Sequence, residues 1–152
     1  NRFLIHAVDE HTEGKAPLLD LYCGNGNLSA SHGRAGREVV GMDHNAAAIH
    51  AAQRLAEGVY EQAGEADFAE ALKRRTWETV LMDPPREGVK PLIQALSAAH
   101  PSRIVLVGCD PAAFARDAAA LVACGFQLAC VIGLDLFPQT HHLEAVAVLA
   151  AA

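Results

Sequence analysis

Cys109 directly follows the apolar run Ile104-Val105-Leu106-Val107-Gly108, and Glu144 opens another, Ala145-Val146-Ala147-Val148-Leu149. A thiol and a carboxylate at the rim of one sheet supply a nucleophile and a base. A third string, Leu18-Leu19-Asp20-Leu21-Tyr22-Cys23-Gly24-Asn25-Gly26-Asn27, places a glycine-rich turn after an apolar strand. Glycines there let the backbone turn sharply and approach a ligand closely. Asp43 ends the next apolar run, where a carboxylate can accept both ribose hydroxyls of an adenosine. Asp83-Pro84-Pro85-Arg86-Glu87-Gly88 stops a further run, Thr79-Val80-Leu81-Met82.

The Gly24-Asn25-Gly26 turn lacks the third glycine of a dinucleotide fingerprint and the Gly-Lys-Ser/Thr of a P-loop. Nothing in it cradles a pyrophosphate, so a nucleoside without phosphates is favoured over NAD or ATP. S-adenosyl-L-methionine meets that description. Asp20, Tyr22, Cys23, Gly24, Gly26 and Asp43 form the expected cofactor set, with Asp83 at the same sheet end. Asp67 is expected at the adenine edge, and Glu65 is a close rival.

Strand-like and helix-like segments alternate along the chain, which predicts a parallel sheet covered on both faces. Strands are expected at 18–22, 39–43, 59–63, 79–82, 104–107, 126–134 and 143–149. Helices are expected at 27–35, 45–57, 67–75 with Asp67 as cap, 89–99 and 111–124. No helix separates the last two strands, so one of them should run antiparallel. The expectation is an α/β, doubly wound, Rossmann-like sheet of about seven strands. Ligands in such sheets sit beyond the carboxyl ends of the strands, where the strand order reverses.

The 152 residues are expected to form one domain. Because the chain opens on Asn1 within a helix-like stretch, it reads as a piece of a longer protein. No signal peptide or membrane-spanning run is visible, so the expected location is cytoplasmic. The net charge of −6 argues against this piece alone gripping a polyanion. Cys23, Cys109, Cys124 and Cys130 include no Cys-x-x-Cys pair, so no metal site is expected. Cys124 and Cys130 read as core thiols. His141 and His142 lack further ligands at suitable spacing and read as loop residues.

Four strings in this order resemble the catalytic domain of the RNA uracil-5-methyltransferases, which form 5-methyluridine in transfer and ribosomal RNA. They are Asp20-Leu21-Tyr22-Cys23-Gly24-Asn25-Gly26-Asn27, Asp83-Pro84-Pro85-Arg86-x-Gly88, Cys109-Asp110-Pro111 with Arg116-Asp117, and Phe137-Pro138-x-Thr140-x-His142-x-Glu144. The resemblance runs from about Leu18 to Leu149. It implies S-adenosyl-L-methionine as methyl donor and an RNA substrate gripped by regions outside this chain. It further implies Cys109 as the nucleophile that adds to carbon 6 of uracil, and Glu144 as the base that removes the carbon-5 proton. Asp83 and Arg86 would position the uracil.

The family's Ser-Cys-Asn-Pro reads Gly108-Cys109-Asp110-Pro111 here. Cys109 precedes an expected helix N-terminus, whose dipole favours a thiolate, whereas a free carboxylate on Asp110 opposes it. A capping role for Asp110 would reduce that opposition. Two alternatives remain at this level: a non-covalent nucleobase N-methyltransferase, and a silent module that binds S-adenosyl-L-methionine.

Overall fold

The alternation of apolar runs and alanine-rich stretches translates directly into strands and helices. The computed structural model describes residues 2–135 and 143–152. Helix α1 (Arg2–Thr12) precedes β1 (Leu18–Leu21), α2 (Ala30–Arg34), β2 (Val39–Asp43), α3 (Ala46–Leu55), β3 (Val59–Gln62), α4 (Glu65–Arg74) and β4 (Thr79–Met82). A 3₁₀ turn (Lys90–Leu92) leads into α5 (Ile93–Ala99). Then come β5 (Arg103–Gly108), α6 (Pro111–Ala123), β6 (Phe126–Leu134) and β7 (Glu144–Ala151).

The seven strands form one sheet in the order β3-β2-β1-β4-β5-β7-β6. Strand β1 pairs in parallel with both β2 and β4, while β7 runs antiparallel to β5 and β6. The expected α/β doubly wound architecture is therefore present, with β7 as the reversed strand.

Alternate residues of each inner strand feed opposite faces, and both faces are covered, which explains the continuous apolar runs. Leu19, Met82, Ile104 and Leu106 pack on one side with Phe68, Leu72 and Leu96. Leu18, Leu81, Val105 and Val107 pack on the other with Val8 and Ile49. A fully buried side chain of this kind contributes about 1.5–3 kcal/mol.

Local chemistry shifts some element ends from the sequence expectation. Helix α2 starts at Ala30 rather than Asn27, because the Gly26 carbonyl accepts the Ser29 and Ala30 amides and folds the intervening residues into a turn. Asp67 does not begin its helix. Helix α4 starts at Glu65, and Asp67 caps it from inside the first turn by accepting the Gly64 amide at 3.0 Å. Asp110 caps α6, accepting the Ala113 amide at 2.8 Å, with Pro111 in the first turn. Cys124 and Cys130 are only half-buried, one at the end of α6 and one on the edge strand β6.

Candidate active site

The chain leaves β1 toward β2 and β3, then returns to β4 on the other side of β1. The loops after β1 and β4 therefore diverge and open a crevice at the carboxyl ends. A cleft of about 200 Å³ lies there, lined by Asp20, Tyr22, Cys23, Gly24 and Asn25, with Asp83 from the β4 loop and Leu4 from α1.

The turn after β1 is held by backbone conformation and by one carboxylate. Tyr22, Gly24 and Gly26 all take positive φ, at 59°, 54° and 75°. At Gly26 a Cβ would also lie 2.8 Å from Cε1 of Tyr60, so a side chain there would be strained and would have to displace the tyrosine ring. Asp43 accepts the Gly24 amide at 2.9 Å through Oδ2 and the Asn45 amide at 2.8 Å through Oδ1. The expected ribose acceptor is thus also the strut of the turn, a role that strand-end position alone does not reveal. Two carboxylate oxygens offer roughly four acceptor sites, so capacity for a ligand remains.

Asp20 is 1% exposed, and its Oδ2 has no hydrogen-bond partner among the described residues. Burial pushes its carboxyl up to about 7, with Ser29 opposing and Asp83 and Asp43 adding to the rise. A buried acceptor without a donor calls for one from a ligand, and the amino group of S-adenosyl-L-methionine is of the required kind. Cys23 forms part of the same wall, and burial pushes its thiol well up, so it stays protonated.

A second hollow of about 290 Å³ lies across Tyr22, lined by His44, Gly64, Glu65, Phe68, Pro85 and Glu87. Tyr22 packs edge-on to Phe68, with ring centroids 5.0 Å apart, and donates its hydroxyl to Glu65 Oε1 at 3.1 Å. Of the two rival acids, Glu65 lines this hollow, whereas the Asp67 carboxylate is turned to the Gly64 amide. Pro85 comes from the Asp83-Pro84-Pro85-Arg86 string, whereas no motif in the sequence points to His44 or Phe68. The only signal for His44 is its place directly after the strand-ending Asp43.

The third part of the rim carries the reactive side chains. Gly108 of β5 pairs with Ala145 of β7 at the end of their antiparallel ladder, so Cys109 leaves β5 at the same edge at which Glu144 begins β7. Cys109 is exposed and Glu144 half-buried. Asp83 is open to solvent on one side, yet the surrounding protein and then Glu144 push its carboxyl up to about 6. Pro84, Pro85, Arg86, Cys109, Phe114 and Asp117 line a shallow indentation. The Asp83–Arg86 segment is thus a shared wall, with the cofactor-type cleft on one side and the thiol on the other.

Gly108 has a packing reason. A Cβ there would come within 3.1 Å of Phe114 Cδ2, so a serine would press on the phenylalanine ring, which would have to give by a few tenths of an ångström. The string Phe137-Pro138-x-Thr140-x-His142 lies outside the described residues, as do both loop histidines; Glu144 alone of that motif is described.

Comparison with known proteins follows the same division of the chain. Residues 1–105 match the methyltransferase small domain, and residues 67–152 match the tRNA (uracil-5-)-methyltransferase family. A 23S rRNA (uracil(1939)-C(5))-methyltransferase from Pseudomonas entomophila is 38% identical over 142 residues, covering 88% of this chain and 31% of the relative. An RNA methyltransferase of Gloeobacter violaceus is 41% identical, covering 87% and 30%. The chain thus spans about a third of the length of the curated relatives it matches. The tRNA (uracil-54, C5)-methyltransferase of Pyrococcus abyssi, solved in complex with S-adenosyl-L-homocysteine, superposes with a TM-score of 0.83. It is 32% identical, covering 97% of this chain and 37% of that one. A precorrin-6y C5,15-methyltransferase from Geobacter metallireducens, 10% identical with a TM-score of 0.78 over 100% of this chain and 88% of its own, shares the fold. With a family profile matched over more than half its length and across the Asp83, Cys109 and Glu144 segments, the chain belongs to the tRNA (uracil-5-)-methyltransferase family.

Proposed function

We propose that this chain transfers a methyl group from S-adenosyl-L-methionine to carbon 5 of a uridine in RNA, through a covalent adduct at carbon 6. The observation that carries the reading is the placement of Cys109 just after β5 and of Glu144 at the start of β7, at the edge where Gly108 and Ala145 close the antiparallel ladder, beside the wall that separates them from the orphaned Asp20 oxygen. S-adenosyl-L-methionine, when bound, supplies an electrophilic methyl on a sulfonium. Asp20 would hold its amino group, Asp43 its ribose, and the hollow of Tyr22, Phe68 and Glu65 its adenine. Gly24, Gly26 and Cys23 shape the passage between those ends, and Asp67 acts through the helix that carries Glu65.

Carbon 5 of uracil is a weak nucleophile. The Cys109 thiolate bonds to carbon 6, and the electrons of the 5,6 double bond move onto the ring's carbon 4 carbonyl as an enolate. Carbon 5 then takes the methyl while the sulfonium's electron pair stays with sulfur. Glu144 removes the carbon 5 proton, the double bond reforms, and Cys109 leaves as thiolate. Asp83 and Arg86 flank the ring, Asp83 at a carbonyl or imide edge and Arg86 against developing negative charge. RNA would be gripped chiefly by parts of the protein outside this acidic chain, and the reading places the reaction in the cytoplasm.

The test uses the full-length protein, S-adenosyl-L-methionine and RNA containing 5-fluorouridine. Fluorine cannot leave as a proton does, so the adduct should persist through denaturation and map to Cys109. Cys109→Ser should form none while retaining S-adenosyl-L-homocysteine binding. Adduct-free turnover, or methyl found on a nitrogen by nucleoside mass spectrometry, would overturn the reading. Cofactor binding with neither product would favour the silent module.

A further inference from the structure

Asp117 is a buried carboxylate that the proposed reaction does not use, being only 3% exposed on α6. Its Oδ2 accepts the Val89 amide at 3.2 Å, and its Oδ1 accepts Arg116 Nε at 3.2 Å. Arg116 Nη2 donates in turn to the Glu87 carbonyl at 3.2 Å. Both arms therefore end on the segment that continues from Asp83 to Val89. Gly88 completes the fit, with φ at 82° and a Cβ position that would collide with the Asp117 carboxylate. The Gly88 amide closes the turn on the Pro85 carbonyl at 2.8 Å.

Helix α6 begins two residues after Cys109, and Asp110 caps it. One rigid element thus carries both the thiol's rim and the two residues that grasp the opposite wall. We infer that Asp117, working with Arg116, is a positioning clamp that sets the Asp83–Gly88 wall against Cys109 for the uridine between them. The inference rests on the proposed reaction for its consequence and on these hydrogen bonds for its existence. A carboxylate is suited to the task, because it accepts a backbone amide and a guanidinium at once. Asparagine would turn its own amide donors toward one of those two partners. Misplacement of a reacting group by about 1 Å can slow a reaction about 10²-fold.

The experiment compares full-length Asp117→Asn, Arg116→Gln and the double variant. Single-turnover methylation and the rate of 5-fluorouridine adduct formation are read alongside the melting temperature. Each single variant should slow both rates about 10- to 100-fold with little change in melting temperature. The double variant should be no slower than Asp117→Asn, since partners in one clamp are non-additive. Unchanged rates, additive losses, or losses that merely track unfolding would overturn the inference. Hydrogen exchange of the Val89 amide supplies a readout independent of the reaction. It should accelerate about tenfold in Asp117→Asn, as loss of a charge-assisted bond implies. Unaltered exchange would sink the clamp even if the enzyme proves active. Accelerated exchange in a protein that forms no adduct would instead keep the clamp and reject the proposed chemistry.

Discussion

Asp20→Asn isolates the orphaned carboxylate, because it preserves shape while removing charge. The folded protein lifts this carboxyl from 3.8 to about 7, chiefly through burial. A shift of that size makes its ionisation in the native state cost about 4 kcal/mol at pH above both values. The raised pKa stabilises the fold only while the group is protonated: the contribution is full below about pH 4 and is lost as the pH rises through about 7. Wild-type stability should therefore fall across that window relative to the variant. Between roughly pH 5 and pH 8 the difference should move by about 2–3 kcal/mol in favour of Asp20→Asn. Urea denaturation at the two pH values measures it directly. The same substitution should weaken S-adenosyl-L-homocysteine binding about 10- to 100-fold at the higher pH, through loss of a charged hydrogen bond. A stability difference flat with pH would refute the assignment of a buried carboxylate whose ionisation the fold opposes. Stabilisation without loss of affinity would refute its assignment to the cofactor.

Two further perturbations probe the rest of the rim. Gly108→Ser brings a Cβ within 3.1 Å of Phe114 Cδ2, so the ring must give by a few tenths of an ångström; a thermal melt should show a small loss that Gly108→Ser/Phe114→Leu recovers, and no recovery would point away from Phe114. Asp83, lifted to about 6 by its surroundings and by Glu144, should ionise as the pH rises through that value and tighten binding of the cationic cofactor. In Glu144→Gln that step should move to lower pH in a calorimetric titration series, and an unmoved step would break the coupling between the two carboxyls.

The strands were legible because the sheet is buried on both faces, leaving apolar runs such as Ile104–Val107 bounded by Gly, Pro or Asp. Asn45 and Asp110 announced their helices, each accepting the amide three residues on. Short-range chemistry of that kind survives in sequence. The start of α4 did not, since Gly64 precedes the helix and the capping acid lies inside it. Glu65 and Asp67 could not be separated by spacing. Their different directions depend on the Tyr22 hydroxyl reaching one and the Gly64 amide the other. Asp117 was visible as part of a string, but its partner Val89 lies 28 positions away. Only the crossing of α6 with the β4 loop brings them together. Likewise nothing in the letters Gly108 and Phe114 shows that one vacates space for the other.

The reversed direction of β7 decides what kinds of residue the rim can hold. In a sheet of purely parallel strands, every side chain at this rim follows a strand, so it is delivered by a loop on its way into a helix. Strand β7 instead begins there, and its first residue, Glu144, pairs at once with Leu134 of β6. Had the same strand run parallel, Glu144 would stand at the opposite edge of β5, about 20 Å away over six residues. Inversion of one strand thus converts a carboxylate at the start of a strand into a neighbour of a thiol at the end of another. Because the neighbouring Gly108–Ala145 pairing is set by backbone hydrogen bonds, the edge at which the two groups stand is inherited from the sheet itself rather than from the side chains around them.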